Sequence, residues 1–144
     1  MENKFYTLTT ELRSLLGDRC STGDSIIDLH SRDAAYTPPV KPHAVVFPEN
    51  TEEVSSIVKL CSEKNCPIVA FGVGSSLEGQ VVPVVGGVSV DFSRMNKITA
   101  VQTEDLIATV EPGVTRIQLN EYLRVQGLMF TVDPGADDSI GGTC

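Results

Sequence analysis

The stretch Pro67–Gln80, PIVAFGVGSSLEGQ, decides how this chain is read. It opens as a short apolar run suited to a buried strand and turns at once into glycine and serine. Gly72, Gly74 and Gly79, with Ser75 and Ser76 among them, let successive backbone N–H groups converge on one anion, and the two hydroxyls add donors. Such a loop at the end of a strand is either a tight exposed turn or a phosphate cradle.

Two widespread phosphate loops do not fit. In a G-x-G-x-x-G fingerprint Leu77 would occupy the third glycine position, and the following EGQVVPVVGG is poor helix. A Walker loop needs Gly-Lys-Ser/Thr, and no lysine lies between Lys64 and Lys97. Binding by this loop therefore rests on neutral donors, which suit a diphosphate bridge better than a triphosphate with its metal.

Working outward, HAVVFP (43–48) predicts a buried strand, and ENTEEVSSIVKLCSEKN (49–65) predicts a helix. Asn50 or Thr51 caps it, Glu52 and Glu53 sit at its positive end, and Val54, Ile57, Val58 and Cys61 form its buried stripe. Together with PIVAF this makes a parallel, right-handed βαβ unit. Beyond the loop, Val88, Val90 and Phe92 alternate with Ser89, Asp91 and Ser93, the pattern of a half-exposed strand. DLIATVEPG (105–113) predicts another strand, and VTRIQLNEYLRVQGL (114–128) a further helix. In that helix Thr115 and Gln118 have capping-box spacing, Leu119, Tyr122 and Leu123 share a face, and Gly127 closes it. From Asp133 the chain reads as loop and enters a second glycine-rich strip, so it is expected to be a piece of something longer.

Upstream, YTLTTELRSLLG (6–17) predicts a helix burying Leu8, Leu12, Leu15 and Leu16 and stopped by Gly17. DLHSRDAAYTPPVKPH (28–43) reads as an irregular connector because Pro38, Pro39 and Pro42 leave few ladder donors. The expected organisation is an N-terminal helix and connector over 1–36 and a binding domain over 37–144, incomplete at its C-terminal end.

The 144 residues, 41% hydrophobic and 21% charged, suit a soluble domain or part of one. A net charge of -8 excludes nucleic acid as the expected partner, since its phosphates demand clustered Lys and Arg. No apolar run approaches the ~20 residues that span a bilayer, and from the pattern of MENKFYTLTTELRSLL neither a secretory signal nor a transit peptide is expected. Cys20, Cys61, Cys66 and Cys144 show no C-x-x-C pair, and His30 and His43 are remote from them, so no metal site is expected. Cys61 reads as helix core and the other three as incidental thiols.

FGVGSSLEGQ, VEPGVTRIQLNEYL and VDPGADDSIGG resemble, in order and spacing, the flavin-binding half of the vanillyl-alcohol oxidase-like flavoproteins, with their PCMH-type FAD-binding fold. The likeness is greatest to the D-lactate dehydrogenase and glycolate oxidase branch. It runs from about Arg32 to Gly142, and the stretch HAVVFPENTEEVSSIVKLCSEKNCPIVAFG is similar to that family's opening βαβ unit. The resemblance implies an α+β fold, a βαβ unit followed by further strands and a helix. It also implies FAD as cofactor, with Val73, Gly74, Ser75, Ser76, Leu77, Glu78 and Gly79 wrapping the pyrophosphate. Asp133, Pro134, Gly135 and Ala136 would form a second flavin-contacting turn, and Ser139, Ile140, Gly141 and Gly142 would begin a third strip. Some relatives tether FAD through a histidine at the position of Ser75, which a serine cannot do, so non-covalent binding is implied.

The implied reaction is oxidation of a D-2-hydroxy acid, D-lactate or glycolate, to the 2-oxo acid, with electrons passed to a quinone or cytochrome. The half of the family that carries the catalytic histidine, the metal ligands and the small-molecule substrate has no counterpart here, so no catalytic residue is assigned and this portion alone is expected to be inactive. A cytoplasmic location, or a peripheral one at the inner membrane, goes with that reading. Two alternatives stand beside it: a non-catalytic binding or regulatory module on the same scaffold, and another reaction of the same fold, in the ether-lipid synthase or sugar oxidase branch.

Overall fold

The computed structural model describes the backbone of residues 2–133 and 135–144 and the side chains from Phe5 onward. Leu8, Leu12 and Leu16, four residues apart, make one apolar stripe on helix α1 (Glu2–Leu16), which ends at Gly17. Leu15 falls off that stripe and is exposed, contrary to the sequence reading. A single 3-10 turn (Gly17–Arg19) leads into a two-residue strand β1 (Cys20–Ser21) and helix α2 (Asp24–Leu29). The first residues of the expected irregular connector thus belong to a helix: Ile27 buries itself, and Gly23, extended at φ -68°, starts it without a side-chain cap.

Strand β2 (Ala44–Val46), helix α3 (Thr51–Glu63) and strand β3 (Ile68–Phe71) form the expected β-α-β sequence. Asn50 caps α3, its Oδ1 accepting the Glu53 N–H at 2.9 Å. The Glu53 carboxylate accepts from both terminal nitrogens of Arg19, at 2.5 and 2.6 Å, and from the Glu49 N–H at 2.8 Å. That hydrogen-bonded pair holds the Glu53 carboxyl at about 2, well below its ordinary value, and raises Arg19. Ile57 and Cys61 face the core, but Val58 is exposed; Leu60, not Val58, packs against the core. Burial, then the neighbouring Cys66, pushes the Cys61 thiol up to about 12, so it behaves as an inert core side chain.

Strand β4 (Val88–Asp91) pairs in parallel with both β2 and β3, while β1 pairs antiparallel with β2, giving the order β1-β2-β4-β3. The two strands of the β-α-β unit are therefore parallel but not adjacent. β4 is central and buried along its whole length, not half-exposed as its alternation suggested, because helices and the segment around His30 cover both faces. Its valines join α1 and α3 in the main core, and its Asp91 accepts Ser93 N–H at 2.7 Å and meets His30. β3, read as a buried strand, is the sheet's edge: Ala70 is exposed and only Phe71 is buried.

A second unit follows. β5 (Ile98–Gln102), which the sequence reading did not identify, pairs antiparallel with β6 (Ile107–Val110) in a two-stranded sheet. Helix α4 (Arg116–Arg124) is capped by Thr115, whose hydroxyl accepts Gln118 N–H at 3.2 Å. Leu119 and Leu123 bury against Val114, Ile98, Val110 and Phe130; Tyr122 is half exposed and leaves the predicted face. The tail is not all loop: Ile140–Thr143 form a short helix, α5.

Candidate functional site

A cavity of about 570 Å³ lies between the edge strand β3 with its following loop and the strip that leads into α5. That volume falls within the ~300–1,000 Å³ usual for small-molecule sites. β3, Phe92 and Pro112 give it an apolar side; Val73 to Ser76 with Asp138, Ser139, Gly141 and Gly142 give it a polar one. The two walls come together because the strip is stitched to the start of α4. Arg116 N–H donates to Asp138 O at 3.0 Å, Ile140 N–H to Val114 O at 2.7 Å, and Gly141 N–H to Pro112 O at 2.9 Å. The Asp137 carboxylate adds a bond from Ile117 N–H at 2.8 Å.

In the loop, Gly74 sits at φ +75°, and a Cβ there would lie 2.8 Å from the Phe71 ring, so no other residue fits without displacement. Among the described residues, no protein acceptor meets the backbone N–H groups of Val73, Gly74, Ser75, Ser76 and Leu77. Of these, Val73 to Ser76 line the cavity, four consecutive open donors of the kind an anionic bridge requires, and they could hold it without a cation. Among the described residues no Lys or Arg lines the cavity, and its one charged wall residue is Asp138, whose carboxylate accepts the Ser75 hydroxyl. The Ser76 hydroxyl donates to Gln80.

Of the residues singled out by sequence, Val73, Gly74, Ser75, Ser76, Ser139, Gly141 and Gly142 line this cavity. Leu77 and Glu78 point outside it, and Leu77 is exposed. The Gly79 N–H is occupied by the Asp33 carboxylate at 2.8 Å. Asp133 accepts Gly135 N–H at 3.1 Å and stands 3.8 Å from Arg116; with Ala136 it lies on the exposed side of the strip. Ile140 packs into the second core, and Pro134 lies outside the described residues. Sequence reasoning missed Asp138, Phe71 and Pro112. A Phe ending a strand before a glycine loop was visible, whereas the Ser75–Asp138 contact joins residues 63 apart and left no local signal.

Residues 42–144 match the family described as FAD binding domain. Over 136 residues the chain is 43% identical to the probable mitochondrial D-lactate dehydrogenase of Danio rerio, covering 94% of this chain and 27% of that protein. It is 40% identical to the mitochondrial D-lactate dehydrogenase [cytochrome] of Arabidopsis thaliana, covering 95% of this chain and 24% of that one. The chain thus spans about a quarter of the length of these relatives. Among solved structures, an alkyldihydroxyacetonephosphate synthase superposes with a TM-score of 0.86 at 26% identity, over 95% of this chain and 28% of that one.

Proposed function

Because the chain belongs to the FAD binding domain family, we propose that it is the flavin-binding portion of an oxidoreductase that converts a D-2-hydroxy acid, D-lactate or glycolate, to the 2-oxo acid. The open N–H groups of Val73 to Ser76 beside the cavity carry this reading. They hold the FAD pyrophosphate from the end of β3, and Gly74 lets the backbone approach it. Ser75 and Ser76 exchange their present partners for phosphate oxygens, while Ser139 to Gly142 line the cofactor from the opposite wall. Gly79 closes the loop, and the turn Asp133–Ala136 borders the flavin further out. FAD, when bound, supplies the two-electron acceptor of the reaction. The chain's own part is to bind, orient and shield it. Ser75 offers no group that would tether the flavin, so binding is non-covalent. The hydroxy acid and the electron acceptor, a quinone or cytochrome, are met by the parts of the relatives' length that this chain does not span. Among the described residues no helix is long and apolar enough to cross a membrane.

A second reading, an ether-lipid synthase on the same cofactor fold, is favoured by the TM-score of 0.86 to alkyldihydroxyacetonephosphate synthase. It shares the cofactor and differs in substrate.

Titration of the chain with FAD, followed by flavin fluorescence and thermal melting, tests the cofactor site. Saturable binding is expected, and FAD at 100 times its Kd should stabilise by ~2.7 kcal/mol, roughly 8 °C in Tm. Gly74→Ala should lose most of that shift; a folded chain that ignores FAD would sink the reading. Anaerobic bleaching of the flavin by D-lactate, on the full-length polypeptide, separates the oxidoreductase from the synthase.

A further inference from the structure

Residues 30–37 precede the stretch matched to the FAD binding domain, which begins at residue 42, yet they grip the glycine loop. Asp33 Oδ2 accepts the Gly79 N–H at 2.8 Å, while its Oδ1 accepts the Ala35 N–H at 3.0 Å. The carboxylate is therefore fixed by its own turn before it reaches the loop. One residue on, the Ala34 N–H donates to the Ser76 carbonyl at 3.1 Å. In a trans peptide the C=O and N–H point opposite ways, so drawing the Ser76 carbonyl toward Ala34 turns the Leu77 N–H away from this segment. Thr37 closes over Gly79, 3.7 Å from where its Cβ would stand, and Gly79 is held at φ +80°.

The same segment supports the loop's other end. His30 is buried, with its ring centroid 4.1 Å from that of Phe71, the ring against which Gly74 lies. Its Nδ1 donates to the Ile26 carbonyl at 2.8 Å, and Nε2 meets Asp91 Oδ2 at 2.9 Å with one proton shared between them. The ring is thus locked at both nitrogens.

We propose that Asp33 is a positioning residue for the cofactor loop: by holding the Gly79 N–H it fixes the loop's far end so that the open N–H groups of Val73 to Ser76 converge on one anion. For the identity of that anion the proposal rests on the FAD reading; the grip itself is measurable without FAD. The experiment compares wild type, Asp33→Ala and Asp33→Asn by residue-resolved amide hydrogen exchange without ligand and by FAD titration. Loss of one charge-assisted bond predicts that Asp33→Ala speeds exchange at Gly79 and weakens FAD by at least about tenfold. Asparagine keeps an acceptor oxygen, so Asp33→Asn should recover part of both, while exchange in β2 and β4 stays as in wild type. A purely structural role would instead speed exchange throughout the sheet. Unchanged Gly79 exchange overturns the proposal, as does unchanged FAD affinity in a chain that binds FAD. If wild type ignores FAD while Gly79 exchange still responds, the grip stands and the FAD reading is what has failed. Should Asp33→Ala not fold, Asp33→Asn carries the same comparison.

Discussion

Asp138 is the residue that sets this cavity apart from a purely neutral cradle. Its carboxylate holds the Ser75 hydroxyl across the gap between loop and strip, where a diphosphate would bring two further negative charges. Removing it frees a donor and lifts a like-charge repulsion. Asp138→Ala should therefore tighten FAD binding, by about tenfold for one partly screened contact, and the gain should shrink as salt rises. Fluorescence titrations at two ionic strengths would read both effects; weaker binding would instead mean that the carboxylate orients Ser75 usefully. No sequence signal pointed to this residue, because the second aspartate of DPGADDSIGG looks like any solvated loop acid. The loop itself was legible, since glycine and serine directly after a strand have few other uses. Its supports were not, because Asp33 reaches Gly79 across 46 residues.

At the scale of elements, α3 was the most legible part of the chain. Cap and acidic first turn agreed; of the predicted stripe Ile57 and Cys61 are buried, Val54 is half-buried, and Leu60 packs on the core in place of Val58. What local pattern hid is that Glu53 also ties α3 to Arg19 beside β1. The fold favours the ionised carboxyl, so its contribution is complete above the ordinary glutamate value near 4.5 and is lost as pH falls toward about 2. Glu53→Gln should cost about 1–3 kcal/mol at neutral pH. The gap between variant and wild type should close between pH 4.5 and 2, as followed by urea unfolding at each pH. A gap that stays constant would show that the pair adds nothing specific to the charge. β4 was misread for the converse reason: alternation signals one wet face only when a sheet has one, and here His30 occupies the side where Ser89 and Asp91 would have met water.

For the molecule as a whole, stability is unevenly spread. The four-stranded sheet carries the main core with α1 and α3, whereas β5–β6 is a two-stranded sheet with Leu106 and Ile107 exposed. A lone pair of strands is marginal in water. Amides of Ile98–Val110 should accordingly exchange at least about ten times faster than those of β2 and β4, as measured by mass spectrometry of peptide fragments. Equal protection would mean that α4 anchors the hairpin as firmly as a full sheet would. The order β1-β2-β4-β3 has a consequence in time. A ribosome delivers β3 and its glycine loop before the strand that must stand between β3 and β2. Until Val88–Asp91 has emerged, β3 lacks the neighbour that fixes it in the sheet, and the loop lacks a platform. Flavin capture by this loop therefore waits on one later strand, whatever else of the chain has already been made.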